Sequence, residues 1–146
     1  GQETVMSFGL PPIRAMRDVG GERALDEAAA DLAEALGAEL GAWLAARPLW
    51  WRSGNLIAVH ALTDPAAPME AQDDETLIWA RPGRAFAPRA DGAWVVHGHT
   101  VVPEPRVQAG HVAVDTGAYR TGRLTAAVFT PAGDAPRFLQ VTDAPA

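Results

Sequence analysis

The chain carries four histidines, His60, His97, His99 and His111. His60 directly follows the apolar run Leu56–Val59, and His97 and His99 directly follow Trp94–Val96. A residue just past the end of a buried strand projects from a rigid element into a loop-lined crevice. Such placement is what a metal ligand or a catalytic group needs. Neutral imidazole suits Mn, Fe, Zn or Ni, and two rings from adjacent strand ends could share one ion. Any one of these residues alone reads as a hydrogen-bonded core or rim histidine. Together, in a chain with so few histidines, they point to a metal. Gly98, between His97 and His99, would let backbone approach a ligand closely.

Two ligands do not complete a hydrolytic metal centre. A catalytic site usually takes at least three protein ligands with an open position, and a two-metal centre also wants a bridging carboxylate. The best local carboxylates are Asp64 and Asp115. Asp64 precedes Pro65 and also reads as a turn residue. Asp115 ends the apolar stretch Val112-Ala113-Val114 and also reads as a carboxylate accepting from the backbone amides that follow it. Arg81 ends the segment Leu77-Ile78-Trp79-Ala80. It is either a surface arginine or a bidentate clamp for phosphate or carboxylate, since guanidinium presents a planar fork.

These residues need elements to hold them. From Glu22 to Ala46 apolar residues recur at spacings of three and four, at Leu25, Leu32, Leu36, Leu40 and Trp43/Leu44, which predicts an amphipathic helix packed on a sheet. Gly37 and Gly41 predict a bend within it, and Pro48 ends it. A shorter helix is expected over Ile13–Val19, stopped by Gly20-Gly21, and residues 1–9 read as a short strand or extended segment. Beyond Pro48 the pattern changes to strands. Leu56–Val59 and Trp94–Val96 read as buried strands, followed by Arg106–Ala109, His111–Asp115, Leu124–Phe129 and Arg137–Val141 with glycine-marked connections. Thr76–Ala80 is apolar but short. Helices first and strands in quick succession favour an α+β fold with a mostly antiparallel sheet over a doubly wound one.

Composition removes whole classes. The chain has 146 residues, fitting one domain or a piece of a larger one, and net charge −6 argues against nucleic acid as the main partner. No apolar run reaches the roughly 18–20 residues a membrane helix needs, and no secretory signal pattern is visible. The absence of cysteine excludes disulfide frameworks, Cys-ligated zinc, iron–sulfur clusters and thiol nucleophiles. All twelve basic residues are arginine, which excludes Walker-type phosphate loops, Schiff-base lysines and Ser–Lys dyads.

With these residues in view, the chain resembles the calcineurin-like metallophosphoesterases, in the bacterial serine/threonine-phosphatase-like and diadenosine-tetraphosphatase-like branch. Gly1 to Gly9 (GQETVMSFG) is similar to the family's GG-x-TL-x-SYG segment, and Leu56 to Ala61 to its xxFVHAG strand end. Gln72 followed by Leu77–Arg81 resembles Q…LLWxR, and Trp94–Thr100 (WVVHGHT) resembles xVVHGHT. Asp115–Ala118 with Gly122–Ala126 resembles the closing DTGA…GxLTA. Hydrophobic-Asp-Thr-Gly-Ala also occurs in retropepsin-like aspartic proteases, but that reading leaves His60, His97, His99 and Arg81 unexplained.

The resemblance implies an α/β/β/α sandwich and two-metal phosphoester hydrolysis, with Mn²⁺ the expected metal and Fe or Zn alternatives. It implies that His60 and His99 ligate one metal of a binuclear centre and that Arg81 binds phosphate oxygens. His97 matches a motif position beside the ligand, expected to be catalytic, and Asp115 one that supports the site. The implied substrates are phosphoprotein, small phosphoesters or dinucleoside polyphosphates, and the implied location is the cytoplasm. The family's GDxHG, GDxxDRG and GNHE motifs are missing, and Leu62 stands where glycine often follows "HA". The chain is therefore expected to be the C-terminal portion of one such domain, entered mid-chain at Gly1 and inactive alone. The alternative expectation is a non-catalytic interaction module that covers an exposed sheet face by forming a homodimer.

Overall fold

The computed structural model describes residues 2–83, 86–130 and 135–142, with side chains for all of these except 2 and 13–20. The chain divides into two compact units, Gly1–Arg47 and Pro48–Ala146.

The first unit is helical. Helix α1 spans Gln2–Ser7, so the extended segment expected there is a helix instead. Thr4 and Val5 carried the strand signal, but no period-two pattern accompanies them. Among the described side chains of α1 only Val5 is buried, and Gly9, at φ 78°, closes the helix by donating to Met6 O. Helix α2 spans Ile13–Ala45 and is interrupted at Gly21 (φ 62°) and Gly37 (φ 76°), conformations that only glycine adopts cheaply. The expected breaks at Gly20-Gly21 and Gly37 are thus present, while no break falls at Gly41. Along the apolar stripe Leu25, Leu32 and Leu36 are half-buried, whereas Leu40, Trp43 and Leu44 are exposed.

The second unit holds the strands. Strands β1 (Trp50–Ser53) and β2 (Leu56–Val59) form a hairpin in which Ser53 faces Leu56. Its two-residue turn begins with Gly54 at φ 58°, the pattern that matches strand twist. Strand β1 carries no alternating polar pattern, because both Trp50 and Trp51 are apolar, so periodicity alone missed it. A 3₁₀ turn, Met69–Ala71, and helix α3, Asp74–Trp79, follow. Asp73 caps α3 by accepting from Thr76 N, and Asp74 and Glu75 lie in the first turn, where negative charge is favourable. The short apolar segment at Thr76–Ala80 is therefore the end of a helix. Strands β3 (Trp94–His97), β4 (Arg106–Gln108) and β5 (His111–Ala113) complete a sheet of order β1-β2-β3-β5-β4. Helix α4 (Ala118–Thr121) leads into a separate antiparallel pair, β6 (Arg123–Val128) and β7 (Arg137–Thr142). The turn expected at Pro131–Asp134 lies outside the described residues.

The fold is mixed α+β with mostly antiparallel strand pairing. The exceptions matter for the site: β2, β3 and β5 run parallel at the centre of the larger sheet, with antiparallel β1 and β4 at its edges. Parallel neighbours bring their C-terminal ends to one edge, so His60, His97 and Val114 emerge together. Ile57, Leu77, Val95 and Val112 are fully buried. Each burial contributes about 1.5–3 kcal/mol. Met69, Leu77 and Ala93 close over Ile57, with Leu49, Trp50 and Val59 packed against them.

Candidate functional site: two histidines at parallel strand ends

Strand β2 ends at Val59 and strand β3 at His97, and the parallel register Ala58↔Val96 sets the residues beyond them side by side. Gly98 N donates to His60 O at 3.0 Å, which extends the pairing past both strands. His60 Nε2 lies 3.2 Å from His99 Nδ1. His99 has φ 62°, and Thr100 N donates to Gly98 O at 2.6 Å across it. This is a γ-turn of the rare positive-φ kind, costing about 1–3 kcal/mol. The turn reverses the chain just past the strand and swings the imidazole back toward His60. The indole of Trp79, at the end of α3, meets His99 edge-on with ring centres 5.9 Å apart.

The contact is a hydrogen bond whose donor is set by the tautomer, and its length is also one that two ligands of a single ion could have. Two nitrogens bound at roughly 2.0–2.1 Å and held as these are subtend about 100° at a shared ion, between octahedral and tetrahedral angles. Among the described residues no group of three or more His, Asp or Glu side chains gathers to hold a metal, so the pair stands alone. Asp115 does not join it: Asp115 Oδ1 accepts from Gly117 N at 2.9 Å, capping the turn after β5. Asp115 O in turn accepts from Val102 N, tying the loop after His99 to that turn. Asp64 accepts from Ala66 N as a turn residue. Arg81 is exposed, two residues beyond Trp79. A Cβ on Gly98 would meet Asp115 and His60 O at 3.6–3.8 Å, ordinary contact, so the glycine is not sterically required.

The loop between His60 and α3 is tightly held, and sequence reasoning did not find how. Gln72 accepts from Asp64 N and donates to Asp64 O and Ala67 O. Arg89, buried, donates to the same two carbonyls and forms a two-point ion pair with Asp91. That hydrogen bond is the main reason the Asp91 carboxyl lies below its usual range. All three guanidinium nitrogens thereby donate, through four hydrogen bonds, which is the kind of pairing a buried cation requires. Ala61 N donates to Leu77 O, fastening the start of the loop to α3. Beside His60 a groove of about 280 Å³ runs along Trp50, Trp51, Val59 and Ile78.

His97 is not brought to the pair. Strand alternation turns its ring to the face covered by Phe86, where it meets His111 of β5 with ring centres 6.1 Å apart. Both rings are buried, at 3% and 4% exposure. Burial pushes both histidines below the ordinary imidazole value. Nearby positive charge, Arg106 for His97 and Arg89 for His111, adds to this.

No helix among the described residues is long and apolar enough to cross a membrane. No protein-family model matches the chain, and no curated protein matches it.

Proposed function

We propose that this chain is the phosphate- and metal-binding portion of a calcineurin-like, metal-dependent phosphoester hydrolase of the serine/threonine-phosphatase-like kind. The observation that carries this reading is the 3.2 Å approach of His60 Nε2 to His99 Nδ1 across two parallel strand ends, with His99 bent into a strained turn. Among the described residues His99 and Ala109 alone combine a side chain with positive φ, and backbone strain at the strand-end histidine supports a functional role for it. On this reading His60 and His99 hold one metal of a binuclear Mn²⁺, Fe or Zn centre, and residues outside this chain supply the rest. When bound, such a centre supplies Lewis-acid polarisation of the phosphoryl oxygens and a water acidic enough to attack. Arg81 binds and orients the phosphoryl group, and its charge stabilises the equatorial oxygens. Asp115 holds the turn behind Gly98, and Trp79 restrains the His99 ring. Phosphoproteins, small phosphoesters and dinucleoside polyphosphates remain the proposed substrates, and the cytoplasm the proposed location.

The test is coupled binding. Mn²⁺ is titrated into the chain with and without inorganic phosphate, and paramagnetic broadening of histidine signals locates the ion. The expected result is weak binding at His60 and His99 that phosphate strengthens, with the phosphate effect lost in Arg81→Ala and metal binding kept. Mn²⁺ that fails to broaden His60 and His99, or phosphate without effect, would overturn the reading. p-Nitrophenyl phosphate turnover by the chain alone, abolished by His99→Ala, would overturn the statement that the chain is inactive by itself.

A second reading, a non-catalytic module that dimerises, draws on one observation. Leu124 faces Val141 and Ala126 faces Leu139 across the β6–β7 pair, and all four side chains are exposed. Light scattering that reports a dimer, converted to monomer by Val141→Asp, would favour it.

A further inference from the structure

The groove beside His60 continues the candidate site. Trp50, Trp51, Ala58, Val59 and Ile78 line it, and His60 belongs to the same wall. His60 is also the residue whose Nε2 lies 3.2 Å from His99 Nδ1. A phosphoryl group held at the histidine pair therefore has this groove as its neighbour, and so has whatever is bonded to that phosphoryl group.

The hairpin register shapes the groove. Trp51 faces Ala58 across β1 and β2. Ala58 and His60 are two residues apart, so strand alternation puts them on one face, and Trp51 shares it. Trp51 and His60 are thus diagonal neighbours across the hairpin, about 7–8 Å apart at the backbone. The residue between them is Ala58, whose side chain is a single methyl, so the indole and the imidazole flank a shallow floor. The two tryptophans differ in what they do for the fold. Trp50 packs against the core around Ile57, whereas Trp51 is 56% exposed. Folding accounts for the first indole and leaves the second uncovered.

The lining decides what could cover it. Among the described residues no carboxylate or guanidinium lines the groove, so a charged or strongly polar group gains nothing there. A flat ring gains both burial and stacking on the indole. The volume of about 280 Å³ lies at the small end of ligand sites and has room for one ring system. Because His60 itself is part of the wall, the ring would adjoin the phosphoryl group without a spacer.

We propose that this groove binds the aromatic ring of an aryl phosphoester, and that Trp51 is the residue that selects it. The proposal rests on the phosphoester-hydrolase reading and narrows its substrates to those whose ring is attached directly to the ester oxygen. His60 and His99 hold the metal, Arg81 the phosphoryl oxygens, and Trp51 the leaving group.

The test compares two monoesters on the whole chain with saturating Mn²⁺, 2-naphthyl phosphate and methyl phosphate, by isothermal titration. The expected result is that the naphthyl ester binds about tenfold more tightly. Trp51→Ala should bring the two to within about twofold while methyl phosphate binds as before, and Trp51→Phe should keep most of the preference. In the parent chain the indole N–H signal of Trp51 should shift with the naphthyl ester and not with the methyl ester. Equal affinities in the parent chain, or a preference that survives Trp51→Ala, would overturn the proposal and leave the phosphoester reading standing. Adenosine monophosphate, whose ring lies one ribose away from the ester, would overturn it too by binding more tightly than the naphthyl ester. Failure of both monoesters and of inorganic phosphate to bind with Mn²⁺ would instead remove the phosphoester reading, and the proposed substrate with it. Should Trp51→Ala fail to fold, the indole signal of the parent chain decides alone.

Discussion

His60 and His99, thirty-nine residues apart, meet at 3.2 Å because two parallel strands end in register and a single hydrogen bond, Gly98 N to His60 O, carries that register one step beyond the sheet. The imidazoles are thus placed by backbone rather than by packing of their own side chains. His60 is exposed and His99 half-buried, and the indole of Trp79 meets the His99 ring edge-on.

If the pair binds one divalent cation, removing either nitrogen leaves a single monodentate contact. His99→Ala is expected to weaken Mn²⁺ or Zn²⁺ binding by at least about tenfold, the lower end of what losing a mere outer-shell partner costs. Isothermal titration of the variant against the parent chain reads this directly. Equal affinities would remove His99 from the ligand set.

The positive φ of His99 stores energy that a glycine would release. His99→Gly is expected to raise unfolding free energy by about 1 kcal/mol while abolishing metal binding. Urea denaturation measures the first effect and metal titration the second. A destabilised glycine variant would mean that contacts of the imidazole outweigh the strain of its backbone.

Stability is expected to fall on acidification through the histidine range. Burial holds the folded-state values of His97 and His111 below 6.5. As pH drops through that value the unfolded chain takes up protons that the folded chain does not. The stability from these neutral rings is complete above it and is lost as pH falls toward the folded values. Each group contributes a slope of at most about 1.4 kcal/mol per pH unit. Urea unfolding at about pH 7.5 and about pH 5 compares the two regimes, and His111→Phe should flatten the dependence. Stability that rises on acidification would show that the rings are not buried in neutral form.

Arg89 is expected to matter more for stability than any exposed arginine. Arg89→Ala removes one of two donors to each of Asp64 O and Ala67 O, which Gln72 still serves, and takes from Asp91 its two-point partner while Arg52 and Ala93 N remain, at a cost of about 1–2 kcal/mol. Asp91 is only partly shielded, which keeps the figure below that for a fully buried ion pair. Arg23, whose ion pair with Glu27 is wholly on the surface, serves as the control. Its alanine variant should change stability by less than about 0.5 kcal/mol. Denaturation of both variants makes the comparison, and amide exchange in the Asp64–Ala67 loop should accelerate only in the first.

By itself the sequence determined most of the elements and marked the two strand ends that carry histidines. Strands β2, β3, β5 and β6 announce themselves through short apolar runs, β4 and β7 through the turn residues beside them, and the breaks at Gly21 and Gly37 through glycine itself. His60, His97 and His99 were legible as strand-end residues, and only the family resemblance singled out His60 and His99 among them. What the sequence left undecided depends on neighbours distant along the chain. Strand β1 exists because Trp50 and Trp51 pair with Val59 and Ala58, not because of any local pattern. Residues 2–7 are helical because hydrogen bonding to Met6 and the cap at Gly9 outweigh the β-branching of Thr4 and Val5. The parallel centre of the sheet, which brings the strand ends together, follows from register alone. His97 reads like His99 in sequence, two residues earlier in the same motif. Alternation alone would put two such rings on one face; the positive-φ turn at His99 carries that ring to His60 and leaves the His97 ring buried with His111 and Phe86.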